Sequence, residues 1–309
     1  LRMSRGLGDV YKRQLLLVLF IFVSAIQTKA QYTYGTTGLL NMPTADMQCD
    51  KTFMCGGSYL EKHTSTARWF YDTWNYYINI TIFPWMEISY NMELHKAIYE
   101  DYGNQKTDYW VPRTYGRFVN QDRQFCVRLR IWKEGWWKSW TPQVVVGSDD
   151  ISSHSWGDTG GRFEVADNPS NAFNNRYYIA VTKHWNFDGW GELGTHFSYL
   201  YNRRSDYPLN GFAAGINFQF KLYGEDSLWK KAVNGLNFMM EAYPANGRGY
   251  LYKDSFEPQA NLDRGFSIGK HDINVGITYT IWKDYISLIG ELYGCKDFSG
   301  GIQFKVHLK

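Results

Sequence analysis

Several features common in a chain of this size are missing. No apolar run is long enough to cross a membrane as a helix. The longest, Leu15–Ile26, covers about twelve residues where about twenty are needed. Mean hydropathy is −0.44, which excludes a helical-bundle membrane protein. A basic surface is also missing. The formal charge is +3, but Arg2, Arg5, Lys12, Arg13 and Lys29 lie within the first 30 residues, opposed only by Asp9. The rest carries 28 basic and 29 acidic residues, so nothing argues for a nucleic-acid partner. Cysteine is sparse. Cys49, Cys55, Cys126 and Cys295 show no metal-ligand spacing. Cys49 and Cys55 either close a small disulfide loop in an oxidising compartment or are free thiols packed as small hydrophobes. The glycines of Gly157–Gly161 lack a strand-then-helix context, which excludes a phosphate loop. No cofactor or metal is expected.

Aromatic residues, by contrast, are abundant at 18%. That suits a protein lining two membrane–water interfaces with Trp and Tyr. The N-terminus has the three parts of a secretory signal: Lys12 and Arg13, the apolar stretch, then Thr28-Lys29-Ala30. Residues 1–30 are read as a signal peptide cleaved after Ala30, and residues 1–14 as translated adaptor sequence. No cysteine stands at the cleavage point, so a lipid anchor is not expected.

Beyond residue 50 the apolar period is two. Met86, Ile88, Tyr90, Met92 and Leu94 alternate with Glu87, Ser89, Asn91, Glu93 and His95. Phe125, Val127, Leu129 and Ile131 alternate with Gln124, Cys126, Arg128 and Arg130. The segments around Phe212–Leu222 and Asp272–Ile281 read the same way. Short links such as Phe83-Pro84-Trp85 and Trp282-Lys283-Asp284 take turns with long polar ones near 96–121, 152–175 and 244–270. This rhythm is that of an outer-membrane barrel, with short periplasmic turns and long external loops. Nine tryptophans, among them Trp85, Trp136, Trp190 and Trp282, fall at or beside the short links and predict one periplasmic girdle. The expectation is an all-β fold: a transmembrane antiparallel barrel of about twelve strands over residues 51–309, both termini on the short-link side. Residues 31–50 are expected to enter the barrel as a partial plug. Outer-membrane lipids and the barrel-assembly machinery are the expected partners.

The inward-facing charges predicted by this alternation are Glu87, Glu93, Arg128, Arg130, Glu192, Lys221, Glu241 and Glu291. Tyr77, Tyr178 and Tyr243 point inward with them. These residues either interlock and fill the lumen or form a polar path or docking surface for a glycan. A hydrolase site is weakly indicated: Ser152 lies two residues before His154, a spacing that places both on one strand face, but an external loop tip explains the string Ser152–Ser155 as well. Asp149 and Asp150 without a third ligand read as a turn pair rather than a Ca²⁺ site.

The stretch Tyr32–Ala45, with Gly35, Gly38, Met42 and Pro43, resembles the opening signature of the YjbH family. Three later blocks resemble that family in the same order. They are Asp122-Arg123-Gln124-Phe125 running on to the Gly147-x-x-Asp150-Ile151 turn, Arg176–Lys183, and Glu241–Asn246. Better-known members are much longer, so this chain resembles a short form carrying the first barrel. The resemblance implies an outer-membrane barrel that works with companion periplasmic and lipoprotein partners in exopolysaccharide or capsule secretion. It implies no enzymatic activity. A general diffusion porin and a lipid-modifying hydrolase are the alternatives.

Overall fold

The structure is a computed structural model that describes residues 35–61, 73–96, 118–151, 176–201, 210–224, 227–244, 265–282 and 284–308. Its strands are β1 (Thr52–Leu60), β2 (Thr73–Phe83), β3 (Met86–Lys96), β4 (Phe118–Trp132), β5 (Gln143–Ser148), β6 (Tyr177–Phe187), β7 (Gly191–Tyr201), β8 (Gly211–Phe220), β9 (Leu236–Pro244), β10 (Ser267–Ile268), β11 (His271–Trp282), β12 (Ile286–Tyr293) and β13 (Asp297–His307). Each pairs antiparallel with its neighbour. β9 pairs with β11, and β13 returns to β1 with Phe53 opposite Val306, which closes a twelve-stranded barrel. The two-residue β10 is a flap on the end of β11.

Alternation explains the wall. Along β2, Thr73, Asn75, Tyr77, Asn79 and Thr81 are buried, while Trp74, Tyr76, Ile78 and Ile82 are exposed. Along β13, Gln303 and Lys305 are buried while Ile302, Phe304 and Val306 are exposed. The polar face is inside and the apolar face outside, the reverse of a water-soluble domain. Among the described residues, closure gives each of the twelve barrel strands a neighbour on both sides.

β1 begins and β13 ends at the end of the barrel that carries the short links, with Thr52 opposite His307. Trp85, Trp132, Trp136, Trp137, Trp140, Trp185, Trp190, Trp229 and Trp282 are all exposed at this end. A second exposed aromatic band, including Trp74, Tyr177, Tyr201, Phe212 and Phe298, marks the other end. Between the bands the outer wall is apolar, with Ile78, Ile216 and Leu288 exposed together with Phe125, Phe197 and Phe238.

Some details differ from the pattern in the sequence. β4 begins at Phe118 rather than near 123. β5 is only six residues long because the chain leaves ladder geometry after Ser148. There the Asp149 N–H still donates to Arg176 O and the Ile151 N–H to Phe125 O. A short helix, α1 (Leu228–Asn234), occupies the β8–β9 link, where no helix was expected. It is the only helix among the described residues and is too short to cross a membrane. The disulfide considered between Cys49 and Cys55 does not form, and all four cysteines are free. Cys49 is exposed before β1, whereas Cys55 lies in β1 opposite Ile78 and Phe304 on the outward set, so the thiols do not meet.

Candidate functional site

The space enclosed by twelve strands lies between small barrels filled by their own side chains and large ones that leave an aqueous channel. Here residues 36–48 are buried inside it. A stretch with no sheet partners must still satisfy its backbone, and the inward-facing wall residues do so.

At its tip the chain makes a tight turn. Gly38 and Pro43 form an isolated bridge, and the Leu39 N–H donates to Met42 O at 3.1 Å. The turn aims three successive N–H groups outward at one carboxylate, a small anion nest. Glu241 of β9 accepts from Leu40 N at 3.2 Å, Asn41 N at 2.9 Å and Met42 N at 3.0 Å. Asn274 of β11 donates to the same carboxylate at 2.9 Å, and the Asn41 side chain donates to Glu291 of β12.

The other end is held by Glu87 of β3. It accepts from Thr37 N at 2.7 Å, Thr37 Oγ1 at 2.9 Å and Asn79 Nδ2 at 2.8 Å. The Arg128 guanidinium of β4 lies 3.5 Å from Glu87 and is fully buried. It donates to the carbonyls of Thr37, Thr44 and Asp46. Such a buried cation is tolerated because its Nη1 and Nη2 have fixed acceptors and a counter-charge stands beside it.

The apolar side of the segment fits a complementary wall. Leu39, Met42, Ala45 and Met47 share one buried cluster with Val145, Tyr178, Ala180, Leu200, Ala213 and Met239. Two inward glycines leave the room. A Cβ on Gly215 of β8 would stand 2.5 Å from Leu39 Cδ1 and 2.9 Å from Met42 Sδ. One on Gly276 of β11 would stand 2.5 Å from Leu40 Cδ2. Gly215→Val is therefore expected to lower stability by about 1–3 kcal/mol through overpacking. The midpoint of urea unfolding checks it; an unchanged midpoint would mean that residues 39 and 42 do not occupy this space.

Where the segment leaves the lumen, Asp46 lies 3.3 Å from His184 Nε2 and 3.9 Å from His196 Nδ1. His184 Nδ1 meets Glu134 at 2.7 Å, and Lys183 Nζ meets the same carboxyl at 2.6 Å. Burial opposes ionisation of Glu134, but the hydrogen bonds from His184 and Lys183 outweigh it and hold its pKa at about 2. A carboxyl whose pKa is depressed on folding stabilises the fold above its unfolded value. That contribution fades as pH falls from about 4.5 towards about 2. Glu134→Gln is expected to cost about 1 kcal/mol at neutral pH, after allowing for solvent screening, and almost nothing near pH 2. Unfolding curves of both proteins at the two pH values check this.

The family model described as "Exopolysaccharide biosynthesis protein YbjH" matches residues 30–309. The chain belongs to the YjbH family. A curated YjbH relative, the "Uncharacterized lipoprotein YjbH" of Escherichia coli (strain K12), is 30% identical over 173 residues, or 54% of this chain. The match spans only 19% of that relative's length. Among solved structures, the Salmonella typhi OmpF complex with daunomycin gives a TM-score of 0.25 at 8% identity, covering 82% of this chain and 96% of that one. A mutant Rh. blastica porin gives 0.22 at 10% identity, covering 82% and 98%.

The residues by which the chain resembles the YjbH family have structural reasons. Gly35 has φ +80 and packs against Tyr77, so a side chain is excluded both by backbone and by space. Gly38 and Pro43 frame the turn, and Met42 is fully buried. Gly147 faces the Tyr178 ring with no room for a Cβ. Asp150 is buried and accepts from Phe125 N at 3.4 Å.

Of the inward-facing candidates, Glu87, Arg128, Glu241 and Glu291 are buried in the lumen together with Tyr77, Tyr178 and Tyr243. Glu192 and Lys221 lie apart, as an ion pair of 2.7 Å at the short-link rim. Arg130 is half-buried, one step towards that rim from Arg128. The side chain of Glu93 lies outside the described residues, as do Ser152 and His154. The three tyrosines present no open ring face for a glycan, because the inner segment and the wall cover them. Asp149, read from the sequence as half of a turn pair, follows the end of β5 at a bend. It is fully buried and paired with Arg176 Nε, while Arg176 Nη1 donates to the Tyr243 hydroxyl. Arg176 sits two positions before inward Tyr178, so the alternation itself points to it. Among the described residues no His, Cys, Asp or Glu cluster is arranged to hold a metal.

Proposed function

We propose that this chain is a non-enzymatic barrel of a Gram-negative outer membrane, with residues 36–48 standing as a plug in its lumen. It assists exopolysaccharide or capsule secretion or surface assembly. The membrane setting is supported by the apolar, aromatic-rich outer wall and by closure of the sheet. The polysaccharide role is supported by the family description.

The observation that carries the reading is the bonding of the inner segment. Glu87 and Glu241 spend their carboxylates on its backbone N–H groups. Charges engaged in this way do not line a diffusion path. The contribution to polysaccharide assembly is therefore that of a docking body for periplasmic and lipoprotein companions, and the glycan does not pass through this lumen. Insertion by the barrel-assembly machinery follows from the same reading.

Deleting the gene in its host and measuring surface polysaccharide tests the role. Loss of capsule or biofilm matrix, restored by the intact gene, is expected. Unchanged surface polysaccharide would sink the reading. The rival general porin is favoured by the inward charges but opposed by their engagement with the inner segment.

A further inference from the structure

The two ends of the inner segment are held by different chemistry. Its turn is fixed by backbone N–H groups on the Glu241 carboxylate. Its returning leg, at Asp46, is met by a histidine that stands between two carboxylates. His184, near the end of β6, brings Nδ1 to 2.7 Å from Glu134 Oε2 of the β4–β5 link. Its Nε2 lies 3.3 Å from Asp46 Oδ1 of the inner segment. A carboxylate oxygen can only accept, so both contacts are attractive only when each ring nitrogen carries a proton. The imidazolium then joins the inner segment to the rim. With one proton lost, a nitrogen lone pair faces a carboxylate, and that contact turns repulsive. All three side chains are partly exposed, so protons reach them from solvent.

The described charges around the ring leave this logic in place. Lys183 Nζ and the His184 N–H donate to Oε1 of Glu134, the oxygen that does not face the ring. Arg128 donates to the Asp46 backbone carbonyl. Glu192 and Lys221 pair with each other elsewhere on the rim. His196 of β7 stands edge-on to His184 at 6.2 Å, with Nδ1 3.9 Å from Asp46 Oδ2. Its ring meets Thr182 Oγ1 at 2.9 Å and Asn217 Oδ1 at 2.7 Å. A hydroxyl donates as well as accepts, so His196 keeps both bonds with a single proton. His184 needs two.

We propose that His184 is a proton-set latch: doubly protonated, it clasps the returning leg of the inner segment to the β4–β5 link, and loss of one proton loosens that leg. The proposal rests on the reading of residues 36–48 as a plug and adds the condition under which the plug is held most firmly. A histidine that gains anionic partners on folding contributes stability at pH below about 6.5 and loses that contribution as pH rises.

Amide hydrogen exchange of the full-length protein in detergent micelles, read by mass spectrometry on peptides covering residues 43–48, tests the latch. After correction for intrinsic exchange rates, protection is expected to be about tenfold greater at pH 5.5 than at pH 8.5. His184→Gln should remove the difference by lowering protection at pH 5.5. Glu134→Gln should remove it in the opposite way. Its amide oxygen can take the place of Oε1, and its amide nitrogen can then donate to Nδ1 of a singly protonated ring whose Nε2–H serves Asp46. Protection should therefore stay high at pH 8.5. Equal wild-type protection at both pH values overturns the proposal. So does a pH difference that survives in His184→Gln, which would put the proton on His196, or protection in Glu134→Gln at pH 8.5 no higher than in the wild type. Absence of protection in the wild type at either pH overturns the plug reading as well. A folded-barrel band in unheated gel electrophoresis checks that both variants have folded.

Discussion

Replacing Glu241 with alanine is expected to release the inner segment from the lumen. The wild-type carboxylate, buried in β9, satisfies the N–H groups of Leu40, Asn41 and Met42 and the Asn274 amide. Each buried donor left without an acceptor costs about 1–3 kcal/mol. Four orphaned donors cost about as much as burial of Leu39, Leu40 and Met42 contributes at about 1.5–3 kcal/mol each, so the turn loses its net hold on the lumen. The cheaper outcome is exit of the turn into water, where its backbone is hydrated. Residues 36–48 should then be cut by proteinase K in the Glu241→Ala protein while the barrel survives, and resist cleavage in the wild type. Glu241→Gln keeps one carbonyl acceptor, so it should fall between the two. Equal protection of all three proteins would mean that Glu241 does not hold the turn.

Arg128→Ala is the second large effect. The guanidinium is fully buried, donates to three carbonyls of the inner segment and stands beside Glu87. Removing it strands a carboxylate and three carbonyls at once, an expected loss of about 3–5 kcal/mol in unfolding free energy. The partner change tells charge from packing. Glu87→Gln alone keeps one acceptor oxygen for Thr37 and leaves Arg128 its carbonyls, so it should cost less. Combined with Arg128→Met it should restore part of the loss, because no buried charge remains unpaired. Urea unfolding of the two single variants and the double variant reads the coupling. Strict additivity would contradict a working pair.

The barrel was legible because its signal is local. A period of two over about ten residues fixes both the strand and the face each side chain takes, as in Met86–Leu94 and Phe125–Ile131. The short-link end could be read from the tryptophans for the same reason. Helix α1 could not. Ser227 makes no side-chain cap and no residue of Leu228–Asn234 is buried, so the segment lacks both the boundary and the apolar stripe by which a helix is read. Alternation could also place Glu87, Arg128 and Glu241 inside, but not say what they hold. Their partners lie far away in sequence, with Glu241 and Asn41 separated by 200 positions. The pairing of Asp149 with Arg176 could not be read either, because the partner comes 27 residues later, beyond a long link.

The central claim is that the lumen is filled by the chain's own residues 36–48, held by Glu87, Arg128 and Glu241. Single-channel recording in planar bilayers tests it most directly. The purified wild-type protein is predicted to give no steady open conductance, and the Glu241→Ala protein to give long-lived openings. A steady ohmic conductance from the wild type, unchanged by Glu241→Ala, would contradict the claim and favour a general diffusion porin.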